Sequence, residues 1–317
     1  MRSVDVVIYD EHFAWSPPFN AIHPVGGWEC HMVQIAEWLA GRGLSVEVRN
    51  ECVEHDFAFR GVRYNLSDRA THARALILGR HSTIPPWLTA DRVVTSMVDD
   101  PRFCRETYDH LIGKSLLVCL SDWHARVCAS MGHDATVIPS AIDDAVYSGV
   151  PPMTERSGFV CVNAWNKGTE ATLAQWARMR ARRPGWRSSL RVGSPYSHPS
   201  DAQQRCERMG ASWLGTLSPA AVIDTLASAE AVFRVNDRHP ETFGVTDALA
   251  EAVGCRVHAL HKGEFGAARE VLVSPYVTQS TEEFEAGVWC PIQDYPCPPD
   301  YRASRVLPMW LPVLGME

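Results

Sequence analysis

An acidic residue stands directly before a helix-like run in the segment "RHPETFGVTDALAEAVGCRVHAL", residues 238–260. Glu241 is followed by Gly244, and Gly254 ends the run. Between the two glycines, apolar residues recur at helical spacing: Val245, Ala248, Leu249, Ala252 and Val253. This spacing predicts a helix with one apolar face, begun near Gly244 and stopped by Gly254.

The start of this predicted helix has the chemistry of a phosphate site. The strand-like run "AVFRV" precedes it, so the helix begins at the carboxyl end of a strand, where α/β sheets bind ligands. Free N–H groups and a partial positive charge there suit a phosphate. Glu241 repels a phosphate but accepts hydrogen bonds from hydroxyls, so the hydroxyls of a sugar diphosphate fit both groups. The alternative is a solvated loop acid stabilised by the helix dipole.

A lysine follows the first strand of the second half of the chain. Lys167 and Gly168 come after the run "FVCVNAW", residues 159–165. A lysine at this position can reach a diphosphate, and the glycine permits a tight turn into the next helix. The alternative is an ordinary surface turn.

A glycine pair precedes a helix in the first half of the chain. Gly26 and Gly27 stand before the run "WECHMVQIAEWLAGRG". They would let the backbone approach a ligand held by the second half. An ordinary turn between a strand and a helix is the alternative.

The elements that position these residues alternate between short β-rich runs and amphipathic helices. The pattern predicts an α/β fold with parallel sheets. A segment rich in glycine, proline and polar residues near residue 150 predicts two domains, 1–150 and 151–317. The proline-dense tail of the second domain is expected to pack back over one of the two domains.

Composition excludes several classes of protein. The chain has 317 residues, 46% of them hydrophobic and 21% charged, as in globular proteins. Its net charge of −7 is not the footprint of a nucleic-acid-binding protein, and no apolar run is long enough to span a membrane. The ten cysteines form no C-x-x-C pair, and the start of the chain lacks a signal-peptide core. We therefore expect a cytoplasmic protein with reduced thiols.

The order and spacing of these motifs resemble the GT-B glycosyltransferases of family 4, which are retaining enzymes that use nucleotide sugars. The resemblance runs from about residue 4 to about residue 260. It includes "GGWECHMVQIAEWLAGRGLSVEV", "LSDWHARVCASMGHDATVIPSAID", "NKGTEATLAQW", "WLGTLSPAAVIDTLASAEAVF" and "ETFGVTDALAEAVGCRV". The resemblance implies two Rossmann-like domains that face a cleft, the first for the acceptor and the second for the nucleotide sugar.

The resemblance also assigns roles to residues. It implies that Glu241 contacts the transferred sugar, that Lys167 neutralises the diphosphate and that Gly26 and Gly27 approach the donor from the first domain. The backbone that meets the sugar and diphosphate is that of Thr242, Phe243, Gly244 and Val245. The donor would be of the UDP-glucose or GDP-mannose type, and no metal or other cofactor is expected.

The chain departs from the family pattern where a second glutamate would bind the ribose. Leu249 stands eight positions after Glu241, in the place of that glutamate. We interpret Glu251, two residues further on, as an acid on the solvated face of the helix. The identity of the nucleotide therefore stays open.

Two more departures concern charged groups. The family's arginine before the lysine is missing near Ala164. Arg234 or Arg238 could restore this charge, but we interpret each as an ordinary surface or loop arginine. Asp99 occupies the place of a family histidine; it is our third catalytic candidate, although a loop-capping role fits it as well. His81 is a weaker candidate for the cleft.

The sequence thus predicts a glycosyltransferase that moves a hexose to an acceptor hydroxyl with retention. The acceptor is open among a glycan, a lipid, a small molecule and a modified DNA base. One alternative is a phage-type DNA base glycosyltransferase, whose binding would weaken steeply with salt. The other is a non-catalytic binding relative, which any transfer or hydrolysis of a nucleotide sugar would exclude. A nicotinamide enzyme ranks lower because no G-x-G-x-x-G follows the first strand.

Overall fold

A computed structural model describes most of the chain, and the chain divides into two compact units. The described residues are 2–11, 15–17, 25–50, 56–65, 68–80, 82–102, 108, 113–148, 150, 152–196, 198–237, 240–289 and 299–316. The first unit consists of Met1–Asn20, Gly27–Ile142 and Tyr301–Glu317, and the second of Ala21–Gly26 and Asp143–Asp300. Two candidates from the sequence, His81 and Arg238, lie outside the described residues.

The strands of the first unit are β1 (Arg2–Tyr9), β2 (Val46–Arg49), β3 (Phe57–Phe59), β4 (Val62–Asn65), β5 (Thr71–Gly79), β6 (Leu88–Ser96), β7 (Leu116–Cys119) and β8 (Ala135–Val137). Those of the second unit are β9 (Phe159–Val162), β10 (Leu190–Ser194), β11 (Ser212–Thr216), β12 (Ala231–Asn236), β13 (Arg256–His261) and β14 (Val277–Thr278). Each unit builds one sheet from its strands.

The described α-helices are α1 (Gly27–Gly41), α2 (Asp122–Ser130), α3 (Thr169–Arg182), α4 (Ala202–Arg208), α5 (Pro219–Ala227), α6 (Val245–Ala252), α7 (Ala268–Val271), α8 (Thr281–Trp289), α9 (Ala303–Val306) and α10 (Trp310–Leu314). Of these, α9 and α10 belong to the first unit although they end the chain. No described helix is long and apolar enough to cross a membrane.

The first sheet has the strand order β3-β4-β2-β1-β5-β6-β7-β8 within the described residues. Only the pair β3 and β4 is antiparallel there. The second sheet has the order β11-β10-β9-β12-β13-β14, and all its described pairs are parallel. The predicted α/β fold with parallel sheets is confirmed.

Both sheets are buried in their centres, as parallel sheets must be when helices cover both faces. All four residues of β9 and all six of β12 are buried. The core of the second unit joins Trp176 of α3 and Phe284 of α8 to Phe233 of β12. The described cysteines are free thiols, and all but Cys30 are buried.

Each sheet has a point where the direction of the strand order reverses. In the first sheet this switch point lies between β1 and β5, because the chain builds outward from β1 on one side and from β5 on the other. In the second sheet it lies between β9 and β12 for the same reason. Ligands of open α/β sheets bind outside the carboxyl ends of strands at such points. The residues that follow β1, β5, β9 and β12 therefore define the candidate sites.

Candidate functional site

A tight turn after β9 carries Lys167. The Lys167 amide donates to the carbonyl of Ala164 at 2.8 Å, and the Asn163 side chain donates to the Lys167 carbonyl. Gly168 then caps α3 in the left-handed conformation, with φ 89°. A Cβ on Gly168 would collide with the carbonyl oxygen of Val235 on β12. The glycine thus allows the turn to pack directly against the neighbouring strand.

The backbone of Glu241 is fixed by the segment after β13. Glu241 forms a parallel β-bridge with Gly266, and the Ala267 amide donates to the Glu241 carbonyl at 2.6 Å. Gly266 has φ 61°, and a Cβ there would meet the backbone of Glu241 well inside van der Waals contact. Only a glycine lets these two segments approach so closely.

Four charged side chains meet at the second switch point, and we call them the charge cluster: Lys167, Arg234, Glu241 and Asp247. Lys167 Nζ lies 3.9 Å from Glu241 Oε2, and Arg234 Nη1 lies 3.4 Å from Glu241 Oε1. Arg234 Nη2 lies 2.7 Å from Asp247 Oδ2. The Lys167 side chain is 50% exposed and that of Glu241 9% exposed, whereas Arg234 and Asp247 are almost fully buried. The cluster therefore has an outer part, Lys167 and Glu241, and a buried base, meaning its inner part, Arg234 and Asp247.

Burial shifts the titration of the groups at that base. The pKa of Asp247 is raised to about 6, chiefly by loss of hydration, while the nearby Arg234 charge opposes the shift. Burial disfavours the Arg234 charge, but the carboxylates of Asp247 and Glu241 outweigh it and raise the pKa of Arg234. His261, buried at the end of β13, has its pKa lowered to about 3 by burial and by Arg234. Arg234 is therefore charged and His261 neutral at neutral pH.

Two helices begin beside the charge cluster without a side-chain cap. Gly168 precedes α3, and Gly244, with φ 80°, precedes α6; neither helix has a side-chain hydrogen bond at its cap. In contrast, Ser121 and Ser218 cap α2 and α5 by accepting from backbone amides. The first amides of a helix have no partner within it. The glycine-capped ends of α3 and α6 thus present backbone donors to an anion.

The remaining sequence candidates of the second unit lie on the same loop as Glu241. Thr242 is half-buried, and Phe243 is 1% exposed, so its side chain belongs to the core and its backbone faces the loop. Val245 is the first residue of α6. The structure thus places Lys167, Glu241 and Gly244 close to this backbone. Their roles toward a ligand stay predictions.

The candidates Asp99 and Gly27 lie in the first unit, near its own switch point. Gly27 is the first residue of α1, and buried Gly26 directly precedes it. Asp99 Oδ2 lies 3.8 Å from Arg80 Nη1, and its side chain is 49% exposed. Asp99 is therefore an ion-pair partner of an arginine, a contact that the sequence did not predict.

Arg80 is the centre of this first-unit group. It follows β5 with a left-handed φ of 54°, pairs with Glu29 of α1 and lies over the Trp28 ring at 5.0 Å. Burial opposes its charge, but Glu29, Asp99 and Asp10 together raise the pKa of Arg80. We call Asp10, Glu29, Arg80 and Asp99 the acidic group.

Two interpretations of the sequence were wrong. Arg234 is not a surface or loop arginine, because it lies on the central strand β12 and is 3% exposed. Glu251 is not on a solvated face: it is 2% exposed and accepts from the amides of Val273 and Ser274 at 3.1 and 2.9 Å. An arginine inside the apolar run "AVFRVN" was the available signal, because a buried charge requires a partner.

Comparison with known proteins gives structural likeness only. No protein-family model and no curated protein sequence matches the chain. The structure of AviGT4, a glycosyltransferase involved in avilamycin A biosynthesis, is similar, with a TM-score of 0.68, 15% identity and coverage of 98% of this chain and 97% of that one. WaaG, a glycosyltransferase involved in lipopolysaccharide biosynthesis, is similar over 89% of both chains at 13% identity, with a TM-score of 0.62.

A third similar structure is that of HepE from Anabaena in complex with UDP and glucose. It has a TM-score of 0.56 and 15% identity, and the match covers 90% of this chain and 88% of that one. At such low identity these likenesses show the fold alone. The chain therefore has the α/β fold of the GT-B glycosyltransferases.

Proposed function

We propose that this protein is a retaining glycosyltransferase that moves a hexose from a nucleoside diphosphate sugar to an acceptor hydroxyl. The observation that carries the proposal is the meeting of Lys167 and Glu241, 3.9 Å apart, at the switch point of the second sheet. A cation and a hydroxyl-accepting acid stand side by side there, and a helix that begins at a glycine follows each of them.

The proposed site divides the donor into two parts by charge. The half-exposed Lys167 and the amides at the starts of α3 and α6 bind the diphosphate. The Glu241 carboxylate accepts hydrogen bonds from hydroxyls of the sugar. Sugar hydroxyls donate hydrogen bonds to a carboxylate and a diphosphate does not, so in this proposal Glu241 binds the sugar and Lys167 binds the leaving group.

The proposed reaction needs no covalent intermediate on the protein. The anomeric C–O bond to the diphosphate breaks, and a bond from the anomeric carbon to the acceptor oxygen forms on the same face. The acceptor proton passes to an oxygen of the departing diphosphate. Lys167 and the start of α6 stabilise the negative charge that develops on the diphosphate.

Structural neighbours support this donor class. The HepE structure contains UDP and glucose, and a trehalose-6-phosphate enzyme from E. coli with a TM-score of 0.59 was solved with UDP-2-fluoro glucose. Family 4 membership, the retaining outcome and a metal-independent reaction belong to the proposal. The acceptor stays open, and a cytoplasmic location is likewise part of the proposal.

A donor screen tests the proposal first. We expect one or more of the UDP, GDP, ADP and TDP sugars to raise the melting temperature, because a ligand that binds the folded state stabilises it by mass action. The selected donor is then incubated with candidate acceptors, and release of the nucleoside diphosphate is measured. Failure of every donor both to stabilise the protein and to be turned over would refute the proposal.

Glu241→Ala tests the assigned site. We expect turnover to fall roughly 100-fold or more, the size reported for loss of one preorganised transition-state contact. The matched control is Glu207→Ala, which removes an exposed acid of α4 in the same unit and should leave turnover unchanged. Near-normal turnover of folded Glu241→Ala would remove Glu241 from the site.

A further inference from the structure

Arg234 is a full positive charge in the centre of a sheet. It lies on β12, which pairs with β9 on one side and β13 on the other, and its side chain is 4% exposed. Removing an arginine from water is costly unless acids and hydrogen bonds compensate it. An apolar side chain at this position would cost less free energy to bury. The contacts of Arg234 must therefore explain why a charged residue stands here.

The partners of Arg234 are the acid of the proposed donor site and a second, hidden acid. Its Nη1 lies 3.4 Å from Oε1 of Glu241, and its Nη2 lies 2.7 Å from Oδ2 of Asp247. The other oxygen of Glu241 lies 3.9 Å from Lys167. Each oxygen of the Glu241 carboxylate thus has its own cation, one in the sheet and one at the surface.

Asp247 is a second partner of Arg234, so the guanidinium charge is shared between two carboxylates. Asp247 lies in the first turn of α6 and is 1% exposed. Its carboxylate compensates the charge of the Arg234 guanidinium. The cluster therefore sets two cations against two carboxylates, and only part of the Arg234 charge acts on Glu241.

Several polar atoms around this pair have no hydrogen-bond partner. They are Nε and Nη2 of Arg234, both carboxylate oxygens of Asp247 and both ring nitrogens of His261. Nη2 and Oδ2 face each other at ion-pair distance without hydrogen-bond geometry. Buried groups of this kind are normally satisfied. Unsatisfied buried groups cost stability, so the contribution of Arg234 to stability does not explain its position.

We propose that Arg234 is a positioning residue that holds the Glu241 carboxylate in place for the donor sugar, with Asp247 as its buried counter-ion. The inference rests on the proposed function and adds a group that does not touch the substrate. Arg234 sets the direction of the carboxylate, and Lys167 and the helix ends bind the diphosphate independently of it. Arg234 therefore contributes to turnover and not to donor affinity.

A purely structural ion pair would behave differently. Its loss would lower the free energy of unfolding, yet the folded fraction would turn over at the wild-type rate. Loss of a positioning residue lowers kcat of the folded protein and leaves the dissociation constant of the donor nearly unchanged. Misplacement of a reacting group by about 1 Å can cost roughly 100-fold in rate.

The experiment compares Arg234→Gln and Arg234→Lys with Arg156→Gln. Arg156 is also buried in the second unit, 6% exposed, and donates to the Val253 carbonyl at the opposite end of α6. We expect kcat to fall roughly 100-fold in Arg234→Gln. The fall should be smaller in Arg234→Lys, which keeps the charge but lacks the planar guanidinium that contacts Glu241 and Asp247 at once. Donor affinity should change less than threefold. Arg156→Gln should lower stability alone.

Three outcomes overturn the inference. The first is wild-type kcat in a folded Arg234→Gln protein, and the second is an equal fall of kcat in Arg156→Gln. If neither Arg234 variant folds, Asp247→Asn replaces them in the test, because it keeps Arg234 but removes the charge of its counter-ion. The third outcome against the inference is an unchanged kcat in Asp247→Asn. A wild-type protein that turns over no nucleotide sugar would instead refute the proposed function, and this inference with it.

Discussion

The two switch points of this protein both set an arginine among carboxylates, but only the first has an excess of acids. Arg80 directly follows β5 in the first sheet, whereas Arg234 lies within β12 in the second. The charge cluster balances two cations with two acids, whereas the acidic group sets Arg80 against Asp10, Glu29 and Asp99. The proposed diphosphate site therefore lies at the second switch point, because the three carboxylates of the acidic group would repel a diphosphate at the first.

Backbone geometry separates the two regions in the same way. At the second switch point glycines take the left-handed conformation, at Gly168, Gly244 and Gly266. At the first, an arginine takes it, with φ 54° at Arg80. Glycine brings backbone amides close to a ligand at no steric cost, while a left-handed arginine is strained and is held by its partners. Glycine backbone thus shapes the second switch point, and charged side chains shape the first.

Gly266→Ala is the strongest test of the second region. The added Cβ must displace the backbone of Glu241, so turnover should fall roughly 100-fold, the cost of a misplaced reacting group. Gly263→Ala is the matched control, because a Cβ there meets nothing within 4 Å. Steady-state kinetics and thermal melts of both variants provide the measurement. Equal kinetics in the two variants would show that the position of the Glu241 backbone is unimportant.

Lys167→Ala and Arg80→Ala together test which switch point binds the diphosphate. Loss of a charged hydrogen-bond partner costs about 1.5–3 kcal/mol, so Lys167→Ala should weaken binding of the nucleoside diphosphate roughly 10- to 100-fold. Arg80→Ala should leave that affinity unchanged. Calorimetric titration at two salt concentrations measures both. The comparison fails if Arg80→Ala weakens binding as much as Lys167→Ala.

Asp247→Asn tests the buried base of the charge cluster through pH. Because its folded pKa is raised from 3.8 to about 6, Asp247 holds a proton that the unfolded chain releases. Its contribution to the free energy of unfolding therefore falls as the pH rises from 3.8 to about 6, and it is constant above about 6. The difference in unfolding free energy between wild type and Asp247→Asn should follow this course in urea titrations.

The control for the pH experiment is Asp201→Asn. Arg205 lowers the pKa of the exposed Asp201, so the contribution of Asp201 is lost only at acid pH. The difference in unfolding free energy between wild type and Asp201→Asn should not change between about pH 5 and 7. A flat course for Asp247→Asn as well would mean that the cluster does not raise the pKa of Asp247.

Arg80→Gly and Arg80→Ala measure the strain at the first switch point, the smallest effect. Both variants lose the contacts to Glu29 and Asp99, but glycine accepts a left-handed φ freely. We therefore expect Arg80→Gly to be more stable than Arg80→Ala by about 1 kcal/mol. Urea unfolding of both proteins gives the difference. Equal stabilities would show that the left-handed backbone at residue 80 carries no strain.

Local sequence pattern predicted the strands and the helix that lead to the second switch point. Apolar spacing identified α6, and the runs before Lys167 and Glu241 proved to be the buried strands β9 and β12. Strand ends were less accurate, because the turn after β9 begins at Asn163 rather than after residue 165. The described strands β3 and β4 were missed, since they are short and carry polar residues such as Arg63 and Asn65.

Sequence alone determined the α/β alternation, the apolar face of α6 and the glycines before α3 and α6, because these depend on local periodicity and on backbone freedom. Only the tertiary structure decided that Arg234 lies beneath Glu241 and that Gly266 fixes its backbone. Lys167 joins them because it follows β9, which lies beside β12 in the sheet although β10 and β11 separate the two strands along the chain. Burial turned an arginine that resembled a surface residue into the base of the charge cluster, because a charge removed from water must be balanced by acids that the fold brings to it.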